Sequence, residues 1–213
     1  MGVLFDLDGV LVDSSACLFL AWCEWAAGHG IDGAAAYAAG SGRTTLEQIR
    51  AVAPELATEP EAKRLDALED RYVTEVKAQR GAREAVEELA GGRWGIVTSC
   101  PLDNARARLE QAGIPPPETF ICAGDVVNGK PAPDAYLLGA QRLGLSPGDV
   151  LVFEDAPLGI AAAKAAGARV TALTTTHALD ELADADFQVA DLGDVAFSTD
   201  GGDAIAVTFA TRP

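Results

Sequence analysis

The chain has 213 residues, 49 % of them apolar and 23 % charged, which is typical of a globular protein with one main domain and a smaller appendage. The formal net charge of −16 argues against a nucleic-acid partner, because binding a polyanion needs clustered Lys and Arg. No apolar run approaches the roughly 18 residues of a membrane span, so we expect no membrane partner.

The first predicted element is a short apolar strand, residues 3–5, that runs directly into two acidic residues. Asp6 and Asp8 follow the strand, and Gly9 comes next. Two carboxylates about 4 Å apart repel each other by roughly 4 kcal/mol at an effective dielectric near 20. A pair placed in this way needs a compensating positive charge, so we regard it as a candidate site.

The next segment has little strand character and is predicted to be helical. Two sets of apolar residues recur at the spacing of one helix face. They are Leu18, Ala21, Trp22 and Trp25 in a first helix, and Leu65, Leu68, Tyr72 and Val76 in a second helix that Pro60 opens. We therefore predict a helical domain over residues 14–80, inserted into a main domain formed by residues 1–13 and 81–213.

From about residue 82 the chain alternates apolar strands with helices. The strand candidates are residues 94–98, 119–122, 150–153 and 169–173, with a weaker one at 187–190. The helix candidates are residues 83–89, 104–111, 135–143 and 158–166, which end at Gly91, Gly113, Gly144 and Gly167. This alternation predicts an α/β fold with a Rossmann-like, doubly wound parallel sheet. Residues 195–198 and 204–209, around Asp200, Gly201 and Gly202, predict a β-hairpin.

Polar residues follow the predicted strands of the main domain. They are Asp6 and Asp8 after the first strand, Thr98, Ser99 and Cys100 after the second, Lys130 after the third, and Glu154 and Asp155 after the fourth. In an open α/β sheet the ligand binds at the carboxyl ends of the strands, so these side chains are expected to meet. Carboxylates without His or Cys suit a hard cation, above all Mg²⁺, and a single lysine would neutralise a bound phosphate.

The order of these residues resembles the four motifs of the haloacid-dehalogenase-like hydrolase superfamily. The matching residues are Asp6-Leu7-Asp8-Gly9-Val10, then Thr98, then Lys130, then Glu154-Asp155. The longer stretches at residues 41–45, 128–133, 153–160 and 173–177 resemble the glycerol-phosphate and sugar-phosphate phosphatases of that superfamily. The inserted helices resemble its small helical cap, so the resemblance covers nearly the whole chain.

The resemblance implies a role for each matching residue. Asp6 would be the nucleophile that forms an aspartyl-phosphate, and Asp8 would be the general acid and then the general base. The implied Mg²⁺ ligands are Asp6, the backbone carbonyl of Asp8, and Asp155, with Glu154 as an adjacent or direct ligand. The implied phosphate and substrate contacts are the Thr98 hydroxyl, the Ser99 amide, Lys130, and Arg43 from the cap. Cys100 departs from the glycine that this branch usually carries, and its bulkier side chain is expected to narrow the phosphate-binding loop or to alter the choice of substrate.

The resemblance implies a Mg²⁺-dependent phosphatase that hydrolyses a small sugar or polyol phosphate. Dehalogenase relatives lack the second aspartate, so the presence of Asp8 argues against dehalogenation. Relatives that are β-phosphoglucomutases carry a His early in the first cap helix, where this chain has Leu18. A phosphosugar mutase is therefore the second hypothesis, and a catalytically silent binding module on the same fold is the third.

The four cysteines indicate a reducing compartment. Cys17, Cys23, Cys100 and Cys122 form no CxxC pair and show no zinc-site spacing. No secretion signal opens the chain, so we expect reduced thiols in a cytoplasmic protein. The expected partner is a small phosphorylated metabolite, and the expected assembly is a monomer or a small homo-oligomer.

Overall fold

The computed structural model describes residues 1–39, 42–199 and 203–209. In chain order the strands are β1 (Gly2–Phe5), β2 (Val12–Asp13), β3 (Lys77–Ala78), β4 (Trp94–Val97), β5 (Thr119–Ile121), β6 (Val150–Glu154), β7 (Arg169–Leu173), β8 (Phe187–Val189), β9 (Val195–Thr199) and β10 (Ile205–Phe209). The α-helices are α1 (Ser15–Ala27), α2 (Gly33–Ala38), α3 (Thr45–Val52), α4 (Glu59–Arg71), α5 (Ala82–Glu88), α6 (Leu102–Ala112), α7 (Asp134–Arg142) and α8 (Pro157–Ala166). Among these helices, none combines the length and the apolar character that crossing a membrane requires.

A six-stranded sheet with the order β5-β4-β1-β6-β7-β8 forms the centre of the main domain, and all its pairs are parallel. The chain first builds outward from β1 to β4 and β5, and then returns to the other side of β1 to add β6, β7 and β8. This reversal opens a crevice at the carboxyl ends of β1 and its neighbours, where ligands bind in doubly wound sheets. The predicted Rossmann-like architecture is confirmed.

Both faces of the sheet are covered by helices, which explains why its strands are almost continuously apolar. Side chains alternate between the faces along a strand. Val3 and Phe5 are buried in the same cluster as residues of α5 and α6, whereas Leu4 is buried with residues of α7 and α8. The Phe5 ring stacks on Phe153 of the neighbouring strand with a centroid distance of 5.1 Å. This packing holds the ends of β1 and β6 side by side.

Each element that the alternating pattern predicts from residue 82 to residue 190 is present, with ends that differ by at most two residues. The four glycines predicted to end the helices all have positive φ, between 67° and 87°. The predicted hairpin also forms, because β9 and β10 pair in antiparallel fashion and bury Phe197 and Ile205 against the main core. Its predicted turn residues, Asp200, Gly201 and Gly202, lie outside the described residues, and so does Ser41 of the stretch at 41–45.

The inserted segment has a core of its own. Ala21, Trp22, Trp25, Ile49 and Leu65 are buried together, away from the two clusters that cover the sheet. Its two ends lie side by side, because β2 pairs with β3 in antiparallel fashion. We propose this pair as the hinge between the domains, and the boundaries at residues 13/14 and 80/81 stay a prediction.

One part of the predicted cap helix is wrong. The helix predicted to extend to Val76 ends at Arg71, Val73–Glu75 form a 3₁₀ turn, and Val76 is buried in the core of the main domain. The β-branched side chains of Val73 and Thr74 lower the helix propensity of this stretch. The chain must also straighten there in order to form β3.

Candidate active site

The crevice at the carboxyl ends of β1, β4 and β6 is a cavity of about 270 Å³ beneath the inserted helices. Every site residue predicted from the sequence lines it, namely Asp6, Asp8, Arg43, Thr98, Ser99, Lys130, Glu154 and Asp155. Their convergence follows from the parallel sheet, which brings the carboxyl ends of its strands to one edge. The chemical roles of these residues stay predictions.

Lys130 is buried between two carboxylates. Its Nζ donates to Asp6 Oδ1 at 2.5 Å and to Glu154 Oε1 at 2.6 Å. Burial alone would lower the pKa of Lys130, but the charges of Asp6 and Glu154 raise that pKa above its ordinary value. The side chain therefore remains an ammonium ion beside the predicted nucleophile.

The carboxylates of Asp6 and Asp155 at this edge of the sheet lack enough neighbouring positive charge to balance their own. Burial, with smaller contributions from Glu154 and Asp8, raises the pKa of Asp6 from 3.8 to about 7 in spite of the opposing effect of Lys130. Burial, Glu154 and Asp6 raise the pKa of Asp155 well above its ordinary value. One carboxylate oxygen from each of Asp6, Glu154 and Asp155 lies within 4.8 Å of the others, so this group could hold a divalent cation.

Within that group, Glu154 has its acceptor positions filled by the protein itself. Its Oε1 accepts from Lys130 and from the Tyr136 hydroxyl at 2.7 Å, and its Oε2 accepts from the amides of Asp155 at 3.0 Å and Ala156 at 3.2 Å. A carboxylate offers about four acceptor positions in all. Glu154 therefore orients Lys130 and the start of α8, and the oxygens with room for a cation belong to Asp6 and Asp155.

Gly159, in the first turn of α8, leaves the space that the Glu154 carboxylate occupies. A Cβ at this position would lie 1.7 Å from Glu154 Oε1. Replacing glycine by alanine inside a helix normally stabilises a protein by about 1 kcal/mol. We expect Gly159→Ala to do the opposite and to lower the free energy of unfolding by about 1–3 kcal/mol, because moving Glu154 breaks its four hydrogen bonds.

Urea unfolding tests this prediction, with Gly148→Ala as the matched control. The nearest atom to a Cβ on Gly148 is the backbone oxygen of Gly167 at 3.9 Å, so we expect this control to lie within about 0.5 kcal/mol of wild type. Equal stability of Gly159→Ala and wild type would show that Glu154 is not held as described.

Gly9 allows Asp155 to approach the loop after β1. Its φ of 82° is in the left-handed region that favours glycine, and a Cβ there would lie 2.1 Å from Asp155 Oδ2. The Thr175 hydroxyl donates to the Gly9 carbonyl at 2.6 Å, and the Thr176 hydroxyl donates to Asp155 Oδ2. These contacts explain why glycine follows the second aspartate and why a threonine-rich stretch follows β7.

The loop after β4 carries the predicted phosphate contacts. Thr98 is buried, and its Oγ1 accepts from the Cys100 amide at 3.1 Å, which leaves its hydroxyl hydrogen to donate to an anion. The Ser99 hydroxyl donates to the Gly42 carbonyl of the cap at 3.1 Å. Burial raises the pKa of Cys100 well above its ordinary value, so its side chain is a neutral thiol and not a nucleophile.

The cap closes the other side of the cavity. Arg43 lines it, and its Nη1 donates to the Ala39 carbonyl at 3.3 Å. The cap also lines the cavity with Trp22, Tyr37 and Gln48. The cavity is thus charged at the sheet edge and mixed apolar and polar toward the cap.

Sequence reasoning missed two charged residues of the site, Arg108 and Glu69. Arg108 Nη1 donates to Asp8 Oδ2 at 2.6 Å, and Nη2 donates to Glu69 Oε2 at 2.5 Å. Burial raises the pKa of Glu69 to about 7, with Arg108 opposing the rise. Each of the two is a charged residue on a helix face that is otherwise mostly buried, and this pattern could have identified them from the sequence. The sequence does not show which charged residues pair with each other.

Comparison with known proteins agrees with this geometry. The sequence profile of the haloacid dehalogenase-like hydrolases matches residues 1–167. Hexitol phosphatase A of Escherichia coli K12 is 44 % identical over 177 residues, covering 81 % of this chain and 82 % of that protein. Glycerol-1-phosphate phosphohydrolase 2 of Saccharomyces cerevisiae is 35 % identical over 191 residues, covering 84 % and 76 %.

The fold has a counterpart among solved structures as well. A hydrolase from Pseudomonas syringae superposes with a TM-score of 0.80 at 26 % identity, covering 90 % of this chain and 94 % of that one. The matched sequence profile spans well over half of the chain and contains most of its cavity-lining residues. The chain therefore belongs to the haloacid dehalogenase-like hydrolase family.

Proposed function

We propose that this protein is a Mg²⁺-dependent phosphatase that hydrolyses a small sugar or polyol phosphate through an aspartyl-phosphate on Asp6. The observation that carries the proposal is Asp6 held against the buried Lys130 at one end of the cavity, with Asp8 and Asp155 beside it. Phosphoric monoester hydrolysis is also the activity that the names of the curated relatives describe, on hexitol and glycerol phosphates.

In the first step, an oxygen of Asp6 attacks phosphorus and the bond from phosphorus to the ester oxygen breaks. Lys130 and the Thr98 hydroxyl neutralise the phosphoryl oxygens, while Asp8 gives a proton to the leaving alkoxide. In the second step, water attacks phosphorus and gives a proton to Asp8. The bond from phosphorus to Asp6 then breaks, which regenerates the carboxylate and releases inorganic phosphate.

The proposed cation site consists of the Asp6 and Asp155 side chains and the backbone carbonyl of Asp8, with Glu154 beside them. The donor set is oxygen only, which suits a hard ion such as Mg²⁺. When bound, the ion would supply positive charge that offsets the clustered carboxylates and the phosphoryl group. One carboxylate oxygen from each of Asp6, Glu154 and Asp155 lies within 4.8 Å of the others, so the residues present fit such an ion. Burial raises the pKa of both Asp6 and Asp155, which agrees with a site that lacks positive charge.

Transfer to water is favoured over transfer to a second sugar hydroxyl. Leu18 lines the cavity. The resemblance places it where the β-phosphoglucomutase relatives carry a histidine. Its apolar side chain cannot move a proton, so it offers no help to an attacking sugar hydroxyl. The phosphatase hypothesis therefore ranks above the mutase hypothesis.

We expect purified protein to release inorganic phosphate from at least one of sorbitol 6-phosphate, glycerol 1-phosphate and glucose 6-phosphate when Mg²⁺ is present. Excess chelator is expected to lower the rate by about 100-fold or more, and added Mg²⁺ to restore it, because the ion offsets several buried negative charges. Bound Mg²⁺ should also raise the melting temperature, since it binds the folded state.

Three results would contradict the proposal. Equal phosphate release with and without chelator would remove the cation from the reaction. Interconversion of sugar phosphates that depends on a bisphosphate primer would favour the mutase. Binding of these esters without turnover would favour a silent module.

The proposal extends to the cellular compartment and the oligomeric state of the protein. Cys17, Cys100 and Cys122 are buried free thiols, which suits a reducing compartment such as the cytoplasm. We propose a monomer or a small homo-oligomer, to be tested by light scattering of the purified protein.

A further inference from the structure

The main domain and the cap meet along one face of α6, through Asn104 and Arg108. Asn104 Nδ2 donates to the Asp66 carbonyl at 2.8 Å and to Asp70 Oδ1 at 2.9 Å. Arg108 Nη2 donates to Glu69 Oε2 at 2.5 Å. Residues four apart share a helix face, so α6 holds cap helix α4 through polar contacts along its length.

Arg108 also contacts the predicted acid. Its Nη1 donates to Asp8 Oδ2 at 2.6 Å, and its side chain is only 4 % exposed. A guanidinium is planar and rigid, so the bonds from its two terminal nitrogens cannot be adjusted independently. The guanidinium therefore ties the carboxylate of Asp8 to Glu69 on α4.

The orientation of Asp8 decides which of its oxygens meets a substrate. Oδ2 is taken by Arg108, which can only donate. Oδ1 is buried and has no hydrogen-bond partner anywhere in residues 1–39, 42–199 and 203–209. Asp8 lines the cavity, and Oδ1 is the oxygen whose hydrogen-bonding capacity the described part of the protein leaves unused.

We propose that Arg108 is a positioning residue that couples the orientation of Asp8 to the position of cap helix α4 through Glu69. This inference rests on the proposed function, in which Asp8 gives a proton to the leaving oxygen and later takes one from water. With α4 in place, Arg108 fixes the Asp8 carboxylate through Oδ2 and leaves Oδ1 free of hydrogen bonds to the described residues. With α4 displaced, Asp8 loses its fixed orientation, while Asp6, Lys130 and Thr98, which belong to the main domain, keep theirs.

Two esters separate the positioning of Asp8 from the other parts of the reaction. Cleavage of sorbitol 6-phosphate needs a proton for its alkoxide, whereas 4-nitrophenolate leaves 4-nitrophenyl phosphate as a stable anion. We expect Arg108→Met to lower kcat for sorbitol 6-phosphate by about 100-fold and Glu69→Met to lower it by about 10-fold. KM is expected to change by less than about threefold, because the phosphate contacts of Thr98 and Lys130 are retained.

With 4-nitrophenyl phosphate, both variants should still release a rapid stoichiometric burst of nitrophenolate. Slow turnover should follow the burst, since hydrolysis of the aspartyl-phosphate also needs Asp8. Arg108→Lys, which keeps a donor for Asp8, should restore part of kcat. Arg106→Met, on the exposed face of the same helix, is the matched control and should behave as wild type.

Unchanged kcat in Arg108→Met and Glu69→Met would overturn the coupling, and so would loss of the burst together with turnover. Should Arg108→Met fail to fold, Glu69→Met carries the test alone, because it retains the bond from Arg108 to Asp8. Wild-type protein that releases phosphate from neither 4-nitrophenyl phosphate nor any of sorbitol 6-phosphate, glycerol 1-phosphate and glucose 6-phosphate would refute the proposed function. Wild-type protein that cleaves both, with variants that match it, would refute the coupling alone.

Discussion

Asp6→Asn is expected to lower phosphate release by about 1,000-fold or more, because an amide oxygen cannot replace the attacking carboxylate. The same change should not destabilise the cation-free protein above pH 7. Burial and the neighbouring carboxylates raise the pKa of Asp6 from 3.8 to about 7, so ionised Asp6 is less stable in the folded chain than in the unfolded one. The stability linked to Asp6 is present below pH 3.8 and is lost as the pH rises through about 7.

Asparagine has no such loss, so the variant should lose activity while it keeps or gains stability. Phosphate release in Mg²⁺ and thermal melting at pH 8 without Mg²⁺ measure the two effects. Asp149→Asn, an exposed aspartate in the turn before β6, is the control and should match wild type in both. Retention of more than about a tenth of wild-type turnover by Asp6→Asn would exclude Asp6 as the nucleophile.

Lys130→Met is expected to damage both stability and turnover. The substitution leaves Asp6 and Glu154 buried without their shared partner, and breaking a buried pair in this way costs about 3–5 kcal/mol. Turnover should fall by about 100-fold in protein that remains folded, because the ammonium group no longer neutralises the phosphoryl oxygens. Urea unfolding and phosphate release in Mg²⁺ measure the two losses.

Lys164→Met provides the comparison for this prediction. Lys164 also pairs with a carboxylate, Asp186 at 2.6 Å, but its side chain is 39 % exposed. An exposed pair contributes about 0–1 kcal/mol, so the control should lose little stability and no activity. Similar losses of stability in the two variants would show that Lys130 is not buried between its carboxylates.

The gathering of the site could be predicted because it depends on topology alone. Asp6, Thr98, Lys130 and Asp155 are far apart in the chain, yet each follows a strand of a parallel sheet. Parallel strands present their carboxyl ends at one edge, so the order of strands and helices was enough to place these residues together. Exact side-chain geometry was not needed for that inference.

The pairing of Arg108 with Asp8 and Glu69 could not be predicted in the same way. It joins a helix of the main domain, a loop after β1 and a helix of the insert, and their relative placement is set by packing. The sequence also could not show that Glu154 accepts four hydrogen bonds from the protein, because these depend on which groups surround it in the folded chain. Val76 was misplaced because apolar spacing continues past Arg71, where the helix stops.

The antiparallel pair of β2 and β3 has a consequence for how the substrate range of such a protein can change. Val12 lies opposite Ala78, so the inserted segment begins and ends at the same place. In its effect on the sheet, the segment is therefore equivalent to one long loop. A lid of a different size or lining can be grafted at this junction without altering the spacing of the strands that carry the reacting groups. The residues that line the cap and those that carry out the reaction can therefore be changed independently of one another.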